Sequence, residues 1–198
     1  MVAAHEYLKP ERFPSYLEDY VRYEAEATVL SFYQPLLIPG LLQTAETVRE
    51  YLNAHFPPLD DDTIEERVPA RLERQSLLRD QRKAFSFVIG EAALRHQAGG
   101  VEAHRRQLLH LVEAGKARNV SVQVLPFGPA GPGLLGPFVL LETPEHEHLV
   151  YEEGQTMGVL YADAAKVSIV MQRHAMILRQ ALSPDESARF IGKLAEEL

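Results

Sequence analysis

Three features of this 198-residue chain predict an α+β fold. Residues 13–83 carry apolar side chains at helical spacing behind polar caps. Two β-rich runs, Ala84–Gly90 and Val120–Leu125, then bracket a helical stretch. Three more short strands follow, and two helices close the chain. The expectation is one domain over residues 1–198, with a lead (1–12), a helical part (13–83), a sheet part (84–162) and C-terminal helices (163–198). The sheet should be mixed, with about five strands and one crossover helix.

In chain order, Ser15-Tyr16-Leu17-Glu18 fits a capping box, and Leu17, Tyr20, Val21, Glu24, Thr28 and Ser31 extend a stripe to about Phe32. The decamer Pro35–Thr44 is the least polar in the chain. Pro39-Gly40 divides it, so two helices are expected to meet there at a sharp, buried corner. Leu41, Ala45, Val48, Leu52 and Phe56 define the second helix, stopped by Pro57-Pro58. Thr63 opens a third helix to about Lys83, in which Pro69 should kink the chain or mark the true first turn. Strand 84–90, a short turn of helix at Glu91–Gln97, a helix from Val101 to Gly115 and strand 120–125 suggest a parallel right-handed crossover. The segment 128–137 is rich in glycine and proline and reads as a loop, either a lid or a partner contact. Strands at Phe138–Glu142, Leu149–Glu153 and about Met157–Tyr161 have connections too short for crossovers and should pair antiparallel. A helix from Asp163 to Ala181 precedes a last one opened by Ser183-Pro184-Asp185-Glu186, with Ser183 as cap and Glu186 as box partner.

Composition narrows the function. With no cysteine, disulfides, thiolate nucleophiles and Cys-ligated zinc are excluded. The net charge of −8 and the absence of a strong basic patch argue against direct nucleic-acid binding. The first residues lack a signal-peptide pattern and no run reaches membrane-spanning length, so a cytoplasmic chain without membrane contact is expected. Glu145-His146-Glu147-His148 is the best metal candidate, but its position in a hairpin turn favours a solvated turn, and no metal site is assigned. No nucleophile motif, P-loop or dinucleotide fingerprint occurs, and no cofactor is expected.

What stands out is polar residues on apolar faces. Arg71, Arg74 and Gln75 share one helix, Glu91 stands where strand 84–90 ends, and Gln107 precedes a Leu-Leu pair. Tyr151 and Glu152 could line the same region, although neighbours on a strand face opposite ways. Gln43 brings a polar group that a buried corner does not require. A helix cap or an Arg–Glu ion pair tying helix to sheet is the structural reading. The functional one is a pocket wall with an arginine fork for an anion.

Six ordered motifs carry a resemblance: Pro39-Gly40-Leu41-Leu42-Gln43-Thr44, Arg71-x-x-Arg74-Gln75, Gly90-Glu91-Ala92-Ala93-Leu94, Gln107-Leu108, Val122–Phe127 and Ala181–Ser187. Together they resemble the large C-terminal domain (DUF5753) of actinobacterial Xre-type helix-turn-helix, antitoxin-like (Scr-type) regulators. The resemblance implies a domain that senses a small-molecule ligand or holds a small regulatory partner protein, in a protein of transcriptional regulation. Members of that family carry a DNA-reading helix-turn-helix ahead of the domain. Here only about a dozen residues precede the first predicted helix, so that reader is expected to be absent. The alternative is a cofactor-free cyclase or isomerase of natural-product biosynthesis, with Glu91 as general acid or base and Arg71 or Arg74 placing an anion. Tyr16, Tyr20 and Tyr23, read as exposed, would suit a homodimer contact.

Overall fold

The computed structural model describes residues 17–128, 135–154 and 157–198. Its elements run α1 (Glu18–Glu26), β1 (Val29–Gln34), α2 (Ala45–Asn53), α3 (Asp61–Arg74), β2 (Ala84–Gly90), α4 (Glu91–Arg95), α5 (Val101–Ala114), β3 (Val120–Leu125), β4 (Phe138–Glu142), β5 (His148–Glu153), β6 (Gly158–Tyr161), α6 (Ala164–Gln180) and α7 (Pro184–Glu196). Short 3-10 turns at Gly40–Leu42 and Gln75–Arg79 complete the helical part.

The six strands form one mixed sheet in the order β3-β2-β1-β4-β5-β6. β1, β2 and β3 are parallel, while β4, β5 and β6 pair antiparallel. One face carries the larger core, where Leu30, Phe32, Phe87 and Val124 meet Tyr20 of α1, Leu108 and Leu111 of α5 and Ile191 of α7. On the other face, Tyr33, Val88, Phe138 and Val150 pack under Val167, Val170 and Ile177 of α6. Helices α2 and α3 form a hairpin around their own cluster of Val48, Leu52, Ile64 and Val68. An α+β architecture with helices at both ends is therefore present, with six strands where the sequence suggested about five.

The additional strand is β1, and it corrects the first helix. Residues 29–32 were expected to continue a helix to Phe32. Instead α1 stops at Glu26, Ala27 turns to ψ 144°, and Val29–Gln34 become a central strand. The run Val-Leu-Ser-Phe-Tyr is β-branched and aromatic, and as a strand it buries Leu30 and Phe32 on one face and Tyr33 on the other. Phe32 stacks on Phe87 of β2 at 4.6 Å. The end of α1 is held by Lys83, whose Nζ donates to the carbonyls of Ala25 (2.8 Å) and Ala27, an ammonium on free carbonyls at a helix C-terminus. The expected cap at Ser15 lies outside the described residues, as does Tyr16.

Other differences are smaller. The Pro39-Gly40 corner joins a strand to a helix rather than two helices, and only part of the decamer is buried. Ile38, Leu41 and Leu42 are inside, while Leu36 and Leu37 are exposed. α2 ends before Phe56, which lies in solvent. α3 is capped by Asp60, which accepts from Thr63 N at 2.7 Å, so Pro69 falls in the helix interior rather than its first turn. Tyr20 is buried and stacks on Tyr151 at 4.1 Å, which removes it from any exposed tyrosine surface. The Ser183–Glu186 capping box forms with both reciprocal bonds.

Candidate functional site

The segment 35–44 leaves the carboxyl end of β1 and passes beside β2. A Cβ at Gly90 would lie 2.5 Å from Pro35 O, so only glycine lets the two backbones approach this closely. Beyond that crossing the segment has no strand partner, yet its polar groups are inside the protein and must be paired. Side chains do the pairing. Gln43 Nε2 donates to Ile38 O at 2.7 Å, and Gln75 Nε2 donates to Gln43 O at 2.6 Å. Gln107, 1% exposed, donates from Nε2 to Leu42 O and accepts from Thr44 N at Oε1, both at 2.7 Å. Tyr51 Oη accepts from Ile38 N at 3.4 Å. Gln43 of the segment itself, with Gln75 and Gln107 from two other elements, thus replaces a missing strand.

The arginines extend this network toward α1. Arg71 donates to Gln43 Oε1 at 3.2 Å. Arg74 meets the fully buried Glu24 carboxylate through Nε and Nη2, each at 2.8 Å. Glu24 also accepts from Tyr20 Oη at 2.6 Å. Burial, then the Glu24 charge, raises the Tyr20 phenol well above its ordinary value. Burial opposes the charge on Arg74, but Glu24 more than offsets it and holds the guanidinium above its usual range. Glu153 is raised by desolvation while Arg71 and Arg74 pull it back. An open groove of ≈ 210 Å³ runs between α1 and α3, with Glu24, Arg74, Val21 and Leu77 in its walls. That is smaller than the roughly 300 Å³ at which small-molecule sites begin.

The residues singled out in the sequence therefore fall into three places. Gln43, Arg71, Gln75 and Gln107 are joined directly or through segment 38–44, while Arg74, one turn of α3 further on, belongs to the Glu24 cluster, which Tyr151 touches through its stack on Tyr20. Glu91 stands apart: Oε1 accepts from Arg95 Nε at 2.7 Å and Oε2 from Phe127 N at 2.8 Å. It ties α4 to the chain leaving β3. Glu152 is exposed on the opposite sheet face from Tyr151, against the Tyr161 hydroxyl. The buried Arg–Glu pair that is present joins α3 to α1 rather than a helix to the sheet, and its acid is Glu24, read from sequence only as one position of a helical stripe. The signal was available: a glutamate beside Leu17, Tyr20 and Val21 on one helix face demands a cation if that face is buried.

Glu145–Glu147 lie in the β4–β5 turn and His148 opens β5; in the turn His146 adopts φ 63° and lies 2.7 Å from Glu142 Oε1. Among the described residues, no group of three or more histidines or acids is placed to hold a metal ion. Nor is any described helix long and apolar enough to cross a membrane.

The end of the sheet at the carboxyl termini of β1, β2 and β3 is different in character from the other. By register, β4 begins there, β5 ends there and β6 begins there. Leu36 and Leu37 after β1, Phe127 after β3, Leu135 before β4 and Met157 before β6 are 49% to 69% exposed. The opposite end carries Asp80, Arg82, Asn119, Glu142 and His146. Exposed apolar side chains thus gather at one end, where open parallel sheets place their ligands. No curated protein matches the chain. The model of the domain of unknown function (DUF5753) matches residues 17–193, and the chain belongs to that family.

Proposed function

We propose that this domain is a partner-binding module of a regulator-type protein, and that its partner is a small protein seated on the apolar carboxyl end of the sheet. The observation that carries this reading is the row of exposed Leu36, Leu37, Phe127, Leu135 and Met157. Such a row is costly in water and suits a dry interface core. The polar residues that might have walled a small-molecule pocket are engaged instead with segment 38–44 and with Glu24. Glu91 also supports the surface, because its bond to Phe127 N fixes the chain that presents Phe127.

The test is calorimetric titration with a small regulatory partner protein of the kind that the family resemblance implies. Leu37→Asp together with Phe127→Asp should weaken binding by at least about a hundredfold, as removal of central apolar anchors does. Ile169→Asp, on the far face of the sheet, should leave it unchanged. Binding that survives the double variant, with its fold verified by circular dichroism, would reject this surface.

A further inference from the structure

The two edges of the sheet are finished differently. At the β3 edge, the outward N–H of Val124 donates to Ser187 Oγ at 2.9 Å, and its carbonyl accepts from Leu182 N at 2.8 Å. Gln123 Nε2 adds a bond to Leu182 O at 2.8 Å. The connection between α6 and α7 therefore closes that edge at Val124. At the β6 edge, the bond from Gly154 N to Met157 O at 2.8 Å sets the phase of the β5–β6 ladder. Alternation then turns the amides of Val159 and Tyr161 toward β5, and those of Gly158 and Leu160 outward. Among the described residues, no bond to those outward groups is found.

The surface beside this open edge carries both signs of charge around an apolar centre. Val159 is opposite Glu152, and Tyr161 is opposite Val150, which packs under α6, so Val159, Tyr161 and Glu152 share the α6 face. Val159, Ile169 and Met176 are exposed there. Lys166 Nζ lies 5.9 Å from the Tyr161 ring, and Tyr161 feels both the Glu152 carboxylate and the Arg173 guanidinium. Arg173 forms no salt bridge among the described residues. A two-fold interface must be complementary to itself, which requires both charges on one patch.

We infer that β6 is the dimerisation edge of this protein, pairing antiparallel with β6 of a second copy. Gly158 and Leu160 then bond across the two-fold axis, Val159, Ile169 and Met176 meet their counterparts, and the bases of each copy face Glu152 of the other. This surface lies along a lateral edge and does not include Leu36, Leu37, Phe127 or Leu135; Met157, next to Gly158, borders both surfaces, so Leu37→Asp with Phe127→Asp is the variant that should spare the dimer.

Sedimentation equilibrium of the full chain tests this. Wild type should reach a dimer below about 100 μM, and Arg173→Glu should raise the dissociation constant at least about tenfold. Combining Arg173→Glu with Glu152→Arg in one chain should restore it to within about threefold of wild type, because the swapped charges face each other again. Amide exchange at Gly158 and Leu160 should slow as concentration rises, while Val159 does not change. A wild type that stays monomeric overturns the inference, as does a dimer indifferent to both Ile169→Asp and Arg173→Glu.

Discussion

Gln107 holds the main chain on both sides of Gln43, giving a hydrogen bond to Leu42 O and taking one from Thr44 N, each 2.7 Å long. It mimics the edge of a strand with a single amide side chain. Gln107→Leu keeps much of the volume and removes both bonds, leaving a buried donor and acceptor unpaired. At about 1–3 kcal/mol for each of the two orphaned groups, the variant should lose about 2–6 kcal/mol. A urea midpoint that falls at unchanged m-value would show this, and a shift under about 0.5 kcal/mol would refute it.

The Arg74–Glu24 pair makes a second, non-additive prediction. Glu24 is fully buried, so Arg74→Met strands a carboxylate and should cost about 3–5 kcal/mol. Glu24→Leu with Arg74→Met removes both charges and should be less damaging than Arg74→Met alone. A double-mutant cycle at equilibrium checks the sign, and simple additivity would contradict the coupling.

Stability should fall on mild acidification. His174 and His104 are both held below their ordinary value by burial, with the Leu94 carbonyl partly opposing this at His104. His174 Nε2 is buried without a hydrogen-bond partner among the described residues, and its ring meets Phe138 edge-on at 6.0 Å. An unfolded histidine takes a proton near pH 6.5, while the folded one resists until a lower pH. The unfolded state then binds more protons, so stability declines from about pH 6.5 down to the folded-state pKa and levels off below it. His174→Leu should flatten part of that slope in urea midpoints measured across the window. Glu153, raised by burial, acts with the opposite sign, since its contribution is lost as pH rises through its folded-state value. Glu153→Gln is therefore the companion background, and an unchanged slope in His174→Leu would contradict the assignment.

Glu91→Ala should free the chain after β3. Oε2 of Glu91 is the acceptor for Phe127 N, so the variant should speed Phe127 amide exchange while Gln123, whose amide faces β2, and Val124, bonded to Ser187, keep their protection. Equal exchange in both proteins would mean that the carboxylate does not hold this loop.

Much of the fold was legible because pattern and environment agreed. The run Ala84–Gly90 is apolar because β2 is an interior strand, and Val120–Leu125 alternates with half of its side chains inside. The cap at Ser183 was readable because all its parts are local. β1 was not legible, because Thr28 and Ser31 prolong a helical period while the hydrogen bonds that make residues 29–34 a strand come from residues about fifty and a hundred positions away. The glutamines were recognised as out of place on apolar faces, and that was sound. Their reason was out of reach, since it lies in the main chain of segment 38–44, which no spacing rule reveals. Glu24 and Arg74 are fifty residues apart, and only the packing of α1 on α3 makes them a pair.

The seal on β3 has a consequence for how such molecules can accumulate. Val124 has already committed its outward groups to Leu182 and Ser187, so that border offers no template to an arriving strand. Pairing through β6 would thus meet, at the other border, a strand whose Val124 groups are already taken, which favours a closed pair over an open fibre.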